Sequence, residues 1–214
     1  MRAGSKQYLI IGDLRGSTSA PARERERLLH KLERTTAELN ARLAPKPLRG
    51  LTINYGDEVA GIFSTPEPLY EVMSAYRAAI GRDAGIRFVV AYGEVGTTSK
   101  DLAKVGGEIY KIANAAMNRL KPSPMFCAWR LPDALESETL TALCNAADAL
   151  ARSMTDYQYQ VLELMRAGAP QIEIAQTLGK FPQSVSDAVK RGRIDEILAV
   201  ESVIAARLAR YKAR

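Results

Sequence analysis

The stretch Thr52-Ile53-Asn54-Tyr55-Gly56-Asp57-Glu58-Val59-Ala60-Gly61-Ile62-Phe63 decides the fold, because apolar residues lie on either side of Gly56-Asp57-Glu58. Two short β-forming runs around such a break read as the strands of a tight hairpin, with Asp57 at or near its tip. Upstream, an apolar strand over 7–12 delivers Asp13 to the loop Leu14-Arg15-Gly16-Ser17-Thr18. The loop leads into a helix over 22–43, where Leu28, Leu32, Leu39 and Leu43 share one stripe and Pro45 and Pro47 end the element. Downstream, Pro66-Glu67-Pro68 opens a helix over 69–80, followed by a long apolar strand over 86–95. A helix over 108–120 carries Ile109, Ile112, Ala113, Ala116, Met117 and Leu120 at helical spacing. A short strand over 125–129 and an Ala-rich helix over 133–152 complete this part.

The order strand, helix, strand, strand, helix, strand, then helix, strand, helix, predicts an α+β class with a ferredoxin-like core. Helices are expected on one face of the sheet, leaving the other free to bind or dimerise. After residue 152 the pattern becomes helical only. Thr155 with Gln158 three residues on forms a capping box, Gly168 and Gly179 mark helix ends, and Pro170 and Pro182 suit first helical positions. Gly192 interrupts the third helix, and a last helix over 193–212 places Ile194, Ile197, Leu198, Ile204, Leu208 and Tyr211 on one stripe. Two domains are expected, 1–152 and 153–214.

A chain of 214 residues with apolar content near half and a quarter charged residues is ordinary for a globular protein and carries no disorder signature. The two cysteines, Cys127 and Cys144, have neither metal spacing nor a disulfide framework and read as reduced packing residues. No stretch reaches membrane-spanning length and the N-terminus lacks a leader pattern, so a cytoplasmic location without membrane association is expected. The net charge of +6 is spread over both parts, with nine Lys and Arg against seven carboxylates after residue 152. Net charge alone therefore does not locate a polyanion site.

The segment 171–190 has a mechanical reading at each special position. Ala175 is small where two helices cross, Gly179 takes the turn, and Ile174, Leu178, Val185 and Val189 form a small core. This leaves Gln183, Ser184, Ser186, Asp187, Lys190 and Arg191 on the outward face of the second helix, the face that enters a major groove. The spacing Ala175, Gly179, Val185 resembles the helix-turn-helix of two-component response regulators and of the promoter-reading domain of sigma factors. That resemblance implies base-edge contacts for Gln183, Ser184, Asp187 and Lys190. It implies phosphate contacts for Gln171, Lys180, Arg191 and Arg193. A helical bundle that merely packs is the competing reading.

Asp13 and Asp57 each stand where an apolar run stops, and two such carboxylates on neighbouring strands suit a shared divalent cation. The sequences around Asp13, around Gly56-Asp57 and over 85–95 together resemble the catalytic core of class III adenylyl and guanylyl cyclases, across roughly residues 7 to 121. The whole chain more closely resembles the SatD family of small bacterial proteins. The cyclase resemblance implies that Asp13 and Asp57 bind Mg²⁺ or Mn²⁺ and that Leu14, Arg15, Gly16, Ser17 and Thr18 cradle the triphosphate of a nucleotide. The chain departs from the cyclase pattern at two places. Leu51 falls near the purine-selecting lysine, and Asn114 and Arg119 are five residues apart where cyclases space the pair by four. A spacing of five turns the second side chain away from the first, so binding is preferred to turnover. Without a ligand, Asp13 is a turn or capping residue and Asp57-Glu58 are polar hairpin residues. His30 reads as a surface residue, and the charge run over 23–34 as a solvated face.

The favoured expectation is a homodimeric transcriptional regulator whose cyclase-like domain senses a nucleotide or dimerises and whose C-terminal domain reads double-stranded DNA. An active metal-dependent cyclase is the alternative, and an N-terminal domain that only dimerises is a third reading.

Overall fold

The computed structural model describes residues 6–15, 21–54, 57–81, 85–96 and 107–211. It is a mixed α+β protein. The elements run β1 (Lys6–Leu14), α1 (Ala22–Arg42), β2 (Arg49–Asn54), β3 (Glu58–Phe63), α2 (Leu69–Ile80), β4 (Ile86–Glu94), α3 (Glu108–Leu120), β5 (Cys127–Arg130) and α4 (Ala134–Arg152). Then come α5 (Asp156–Arg166), α6 (Gln171–Leu178), α7 (Pro182–Gly192), α8 (Ile194–Leu208) and a 3₁₀ turn, Ala209–Tyr211. This is the order expected from periodicity. The chain divides into two compact units, one of residues 1–141 with 207–214 and the other of residues 142–206.

The first unit is built on one sheet with strand order β2-β3-β1-β4-β5. β1 lies antiparallel between β3 and β4, the β2–β3 hairpin is antiparallel, and β4 pairs with β5 in parallel. Tyr8, Leu9, Ile10 and Ile11 are all buried, so the central strand is covered on both faces. One face carries Leu9, Ile11, Ala60, Ile62, Val89 and Ala91, which pack with Ile109, Ala113, Ala116, Met117 and Leu120 of α3. On the other, Phe88 stacks with Tyr76 of α2 at 5.9 Å between ring centres. The Tyr76 hydroxyl in turn shares a 2.6 Å hydrogen bond with Thr36 of α1. The expectation of one open face is therefore corrected. A strand apolar at four successive positions has two faces to bury, because successive side chains point to opposite sides. α3 brings the stripe that covers the second. The sheet is tightly fitted at Gly12, where a Cβ would lie 2.5 Å from the Phe88 ring.

One edge strand of the sheet is β2, the other being β5. At β2 the Asn40 side chain of α1 donates from Nδ2 to the Leu51 carbonyl at 2.8 Å and accepts the Leu51 N–H at Oδ1, also at 2.8 Å. A side-chain amide thus stands in for a neighbouring strand. The end of the chain also belongs to this unit. Arg207 pairs with Glu136 at 2.5 Å, and the Thr65 hydroxyl donates to the Tyr211 carbonyl at 3.3 Å.

The second unit is a small helical cluster. Its core is formed by Val161, Leu162, Ile174, Ala175, Val185, Ala188, Val189, Ile194 and Ile197, with Leu178 partly buried against it. The capping box is present in full. The Thr155 hydroxyl accepts from Gln158 N–H and the Gln158 side chain accepts from Thr155 N–H. Across the cluster, Arg166 of α5 makes a forked pair with Glu201 of α8, Nε to Oε2 at 3.1 Å and the second nitrogen to Oε1 at 2.5 Å.

Candidate functional site

In the first unit, β1 brings Asp13 into register with Glu58 of β3 on one side and Arg87 of β4 on the other. Lys121, just past the end of α3, reaches the same point, with its Nζ 3.1 Å from Asp13 Oδ1. The Arg87 guanidinium lies 4.0 Å from Asp13 Oδ2 and donates to the Lys121 carbonyl at 2.7 Å. Asp13 is therefore held between two cations. Glu58 sits in a drier and more negative setting. Burial, and then the Asp13 carboxylate, raise its pKa above the usual carboxylate value, against the opposing effect of a hydrogen bond with Asn54.

Asp57 stands at the turn, one residue before β3, and its charge acts on Glu58. The carboxylate directly across from Asp13 is that of Glu58. Read from the sequence alone, Glu58 is only a polar hairpin residue, and Arg87 and Lys121 have no role. The signal for Glu58 was present, since it is the first carboxylate inside the hairpin's second strand. For Arg87 and Lys121 only the sheet register and the docking of α3 make the connection.

Asp13 and Glu58 supply the oxygen donors that hard cations take. Both Asp13 oxygens face Lys121 and Arg87, however, so a divalent ion does not fit the cluster as it stands. Among the described residues no group of three or more His, Cys, Asp or Glu side chains is arranged to hold a metal. The expected loop starts later than the sequence suggested: β1 runs on through Asp13 to Leu14, which pairs with Ile86 and is buried, and Arg15, the first residue beyond the strand, is tied down. Its N–H donates to the Gly85 carbonyl at 3.1 Å, and its guanidinium donates to the carbonyls of Pro124, at 3.0 Å, and Met125. Gly16, Ser17 and Thr18 lie outside the described residues. Asn114 and Arg119 are both exposed on α3. A cleft of about 530 Å³ is lined by Leu29, Glu33, Thr36, Ala37, Asn40 and Ile53, none of them an expected site residue.

In the second unit, α6 and α7 are joined by a three-residue turn. Gly179 takes the left-handed conformation at φ 60°, ψ 41°, and its N–H bonds back to the carbonyls of Ala175 and Gln176. That conformation costs a residue with a Cβ more than it costs glycine. Pro182 occupies the first turn of α7, where a missing N–H is harmless. Val185, Ala188 and Val189 turn inward. Gln183, Lys190 and Arg191 are exposed on α7, with Lys180 and Arg193 exposed at its two ends; Ser184, Ser186 and Asp187 are half-buried. Gln171, at the start of α6, is also half-buried. Gln183 donates to Asp187 at 3.1 Å, so two of the expected base-edge residues satisfy each other.

Two features were not anticipated here. The stop of α7 falls one residue later than expected: Gly192 is still helical and buried, and Arg193 takes the left-handed position at φ 52°. A Cβ on Gly192 would lie 3.3 Å from Ile194 and 3.5 Å from Gln158, so this glycine serves a close approach. The other feature is a pair of exposed apolar residues, Ile172 at 66% and Phe181 at 80% of full exposure.

No described helix is long and apolar enough to cross a membrane. No family model matches this chain, and no curated protein matches it by sequence. Among solved structures, it is matched to the crystal structure of a regulator of polyketide synthase expression from Bifidobacterium adolescentis, with a TM-score of 0.28 and 14% identity, over 96% of this chain and 82% of that one. A likeness of that size carries no argument about fold or function.

Proposed function

We propose that the protein is a DNA-binding transcriptional regulator, and that α6 and α7 form a helix-turn-helix with α7 as the recognition helix. One observation carries this reading. Lys180, Lys190, Arg191 and Arg193 are all exposed on or beside one short helix, and among the described residues none of the four makes an ion pair. Like charges gathered on a rigid support repel one another unless a polyanion meets them, and duplex DNA supplies phosphates at that density. The polar outward face of α7 and the absence of a carboxylate in its first turn support the same reading.

In this reading residues 1–152 are a ferredoxin-like domain related to class III cyclases and 153–214 the DNA-binding domain, as in the SatD family that the sequence resembles, although residues 142–152 cluster with the second unit and residues 207–214 with the first. The strand order with β1 between β3 and β4 supports the ferredoxin-like assignment. The N-terminal domain senses a nucleotide or dimerises and does not turn a substrate over, since Asn114 and Arg119 keep the wrong spacing for a cyclase pair. A homodimer and a cytoplasmic location belong to the same proposal, as does a nucleotide bound near Asp13 and Asp57, whose Mg²⁺ or Mn²⁺ would have to displace Lys121 and Arg87 from the Asp13 carboxylate.

The deciding experiment is genome-wide DNA enrichment with the full chain, followed by binding of the enriched duplex in solution. Sequence-selective enrichment is expected. A chain that binds no duplex at low salt overturns the reading and makes α6 and α7 a packing module. Incubation with each nucleoside triphosphate and Mn²⁺ separates the cyclase alternative, which requires a cyclic product.

A further inference from the structure

Phe181 has no evident reason to be where it is. It is the N-cap residue of α7, a position that favours Ser, Thr, Asp or Asn because their side chains accept a hydrogen bond from the first turn. Phe181 makes no such bond, in contrast with Thr155 at the start of α5. Nor does it serve the core, since it is 80% exposed, more than any other large hydrophobic residue among those described. It does not swing freely either. Its backbone is fixed at φ −72° and ψ 145° by the proline that follows and by the hydrogen bonds that its carbonyl accepts from Ser184 and Val185. A large apolar ring is thus held out from a rigid backbone at the N-terminal end of α7, beside Lys180.

We infer that Phe181 reads thymine, by packing its ring against the C5-methyl group in the major groove. This rests on the proposed DNA binding by α7. The N-terminal residues of a recognition helix are those that meet base edges, and an aromatic ring matches the one apolar group that the major groove displays. Gln183 and Asp187 are bonded to each other, which leaves the apolar contact as the distinctive feature at this end of the helix. The exposed Lys180 ammonium, one residue before Phe181, is available to a phosphate beside the base contact.

The test uses the full chain and a duplex selected by the wild type from a random-sequence pool. Each thymine of that duplex is replaced singly by deoxyuridine, which deletes the methyl group and keeps the base pair. At one or two adjacent positions the replacement should weaken wild-type binding about fourfold, the effect of one buried methyl. Phe181→Ala should bind the thymine duplex more weakly and show no further loss on uracil at those positions, while Phe181→Leu should keep part of the sensitivity. Because the ring is exposed, both variants should melt with the wild type. The inference is overturned if Phe181→Ala binds as tightly as the wild type, which would point to a protein partner for this residue. It is also overturned if the variant still senses every uracil that the wild type senses, or if no thymine matters. In those cases Lys190→Ala and Arg193→Ala still weaken binding and the DNA reading stands. A wild type that selects no duplex removes both.

Discussion

The molecule contains two concentrations of charge, and they are organised in opposite ways. Around Asp13 the charges answer one another: two carboxylates, Asp13 and Glu58, adjoin Arg87 and Lys121 within one corner of the sheet. On α7 and at its two ends four cations, Lys180, Lys190, Arg191 and Arg193, are exposed and among the described residues have no ion-pair partner. A cluster in which each cation already faces a carboxylate needs no outside anion to hold it together. An unanswered one is tolerated because water screens it, and it remains available to an anion. The contrast fits structural work for the first cluster as it stands and, in the proposed reading, a polyanionic partner for the second.

The largest effect that would break this contrast is the salt response. If all four cations meet phosphates, DNA affinity should fall about a hundredfold between 50 and 200 mM salt. A flat response in a binding titration would mean that α7 does not face the backbone. Next is Arg87→Ala, which removes one cation from Asp13 and a donor from the Lys121 carbonyl. It should lower unfolding stability by about 2 kcal/mol in urea denaturation, and a double-mutant cycle with Asp13→Ala should show the two effects to be coupled. An additive cycle would mean that the cluster is not a unit.

Arg193 allows stability and binding to be separated. Its left-handed backbone is strained for any residue but glycine, so Arg193→Gly should raise stability by about 1 kcal/mol. The same substitution should weaken all duplexes alike and reduce the salt slope by about one phosphate. Loss of both stability and binding would show that the side chain supports the fold. The smallest effect concerns Glu58. Its pKa is raised in the folded state, so folding favours the protonated form. The cost of ionising it is absent below the ordinary carboxylate value of 4.5 and grows as pH rises through the raised one. Glu58→Gln should therefore melt higher than the wild type at pH 7, with the gain vanishing by pH 4. An equal gain at both values would have some other cause.

What the sequence disclosed was local. The apolar run of β1, the hairpin around Asp57, the Thr155-Gln158 box, the turn at Gly179 and Pro182 at the head of α7 each depend on neighbours within a few residues, and all are legible. What it concealed depends on register and docking. Arg87 and Lys121 meet Asp13 only because β4 lies beside β1 in a given alignment and α3 ends above it. The covering of the second sheet face was half legible, since four successive buried positions in β1 already require two packed faces. At α7 the eye follows Gly192, whereas the left-handed residue is Arg193. A glycine needed for close packing and one needed for a turn look the same in a sequence.

The Asn40 amide at Leu51 bears on how copies of this protein can associate. An unguarded outer strand invites a second chain to extend the sheet through its main-chain hydrogen bonds. In β2 the donor and the acceptor of Leu51 are already taken by a side chain of the same molecule. An incoming strand would have to evict that amide to align there. The sheet is thereby guarded against runaway growth at this point of the β2 edge.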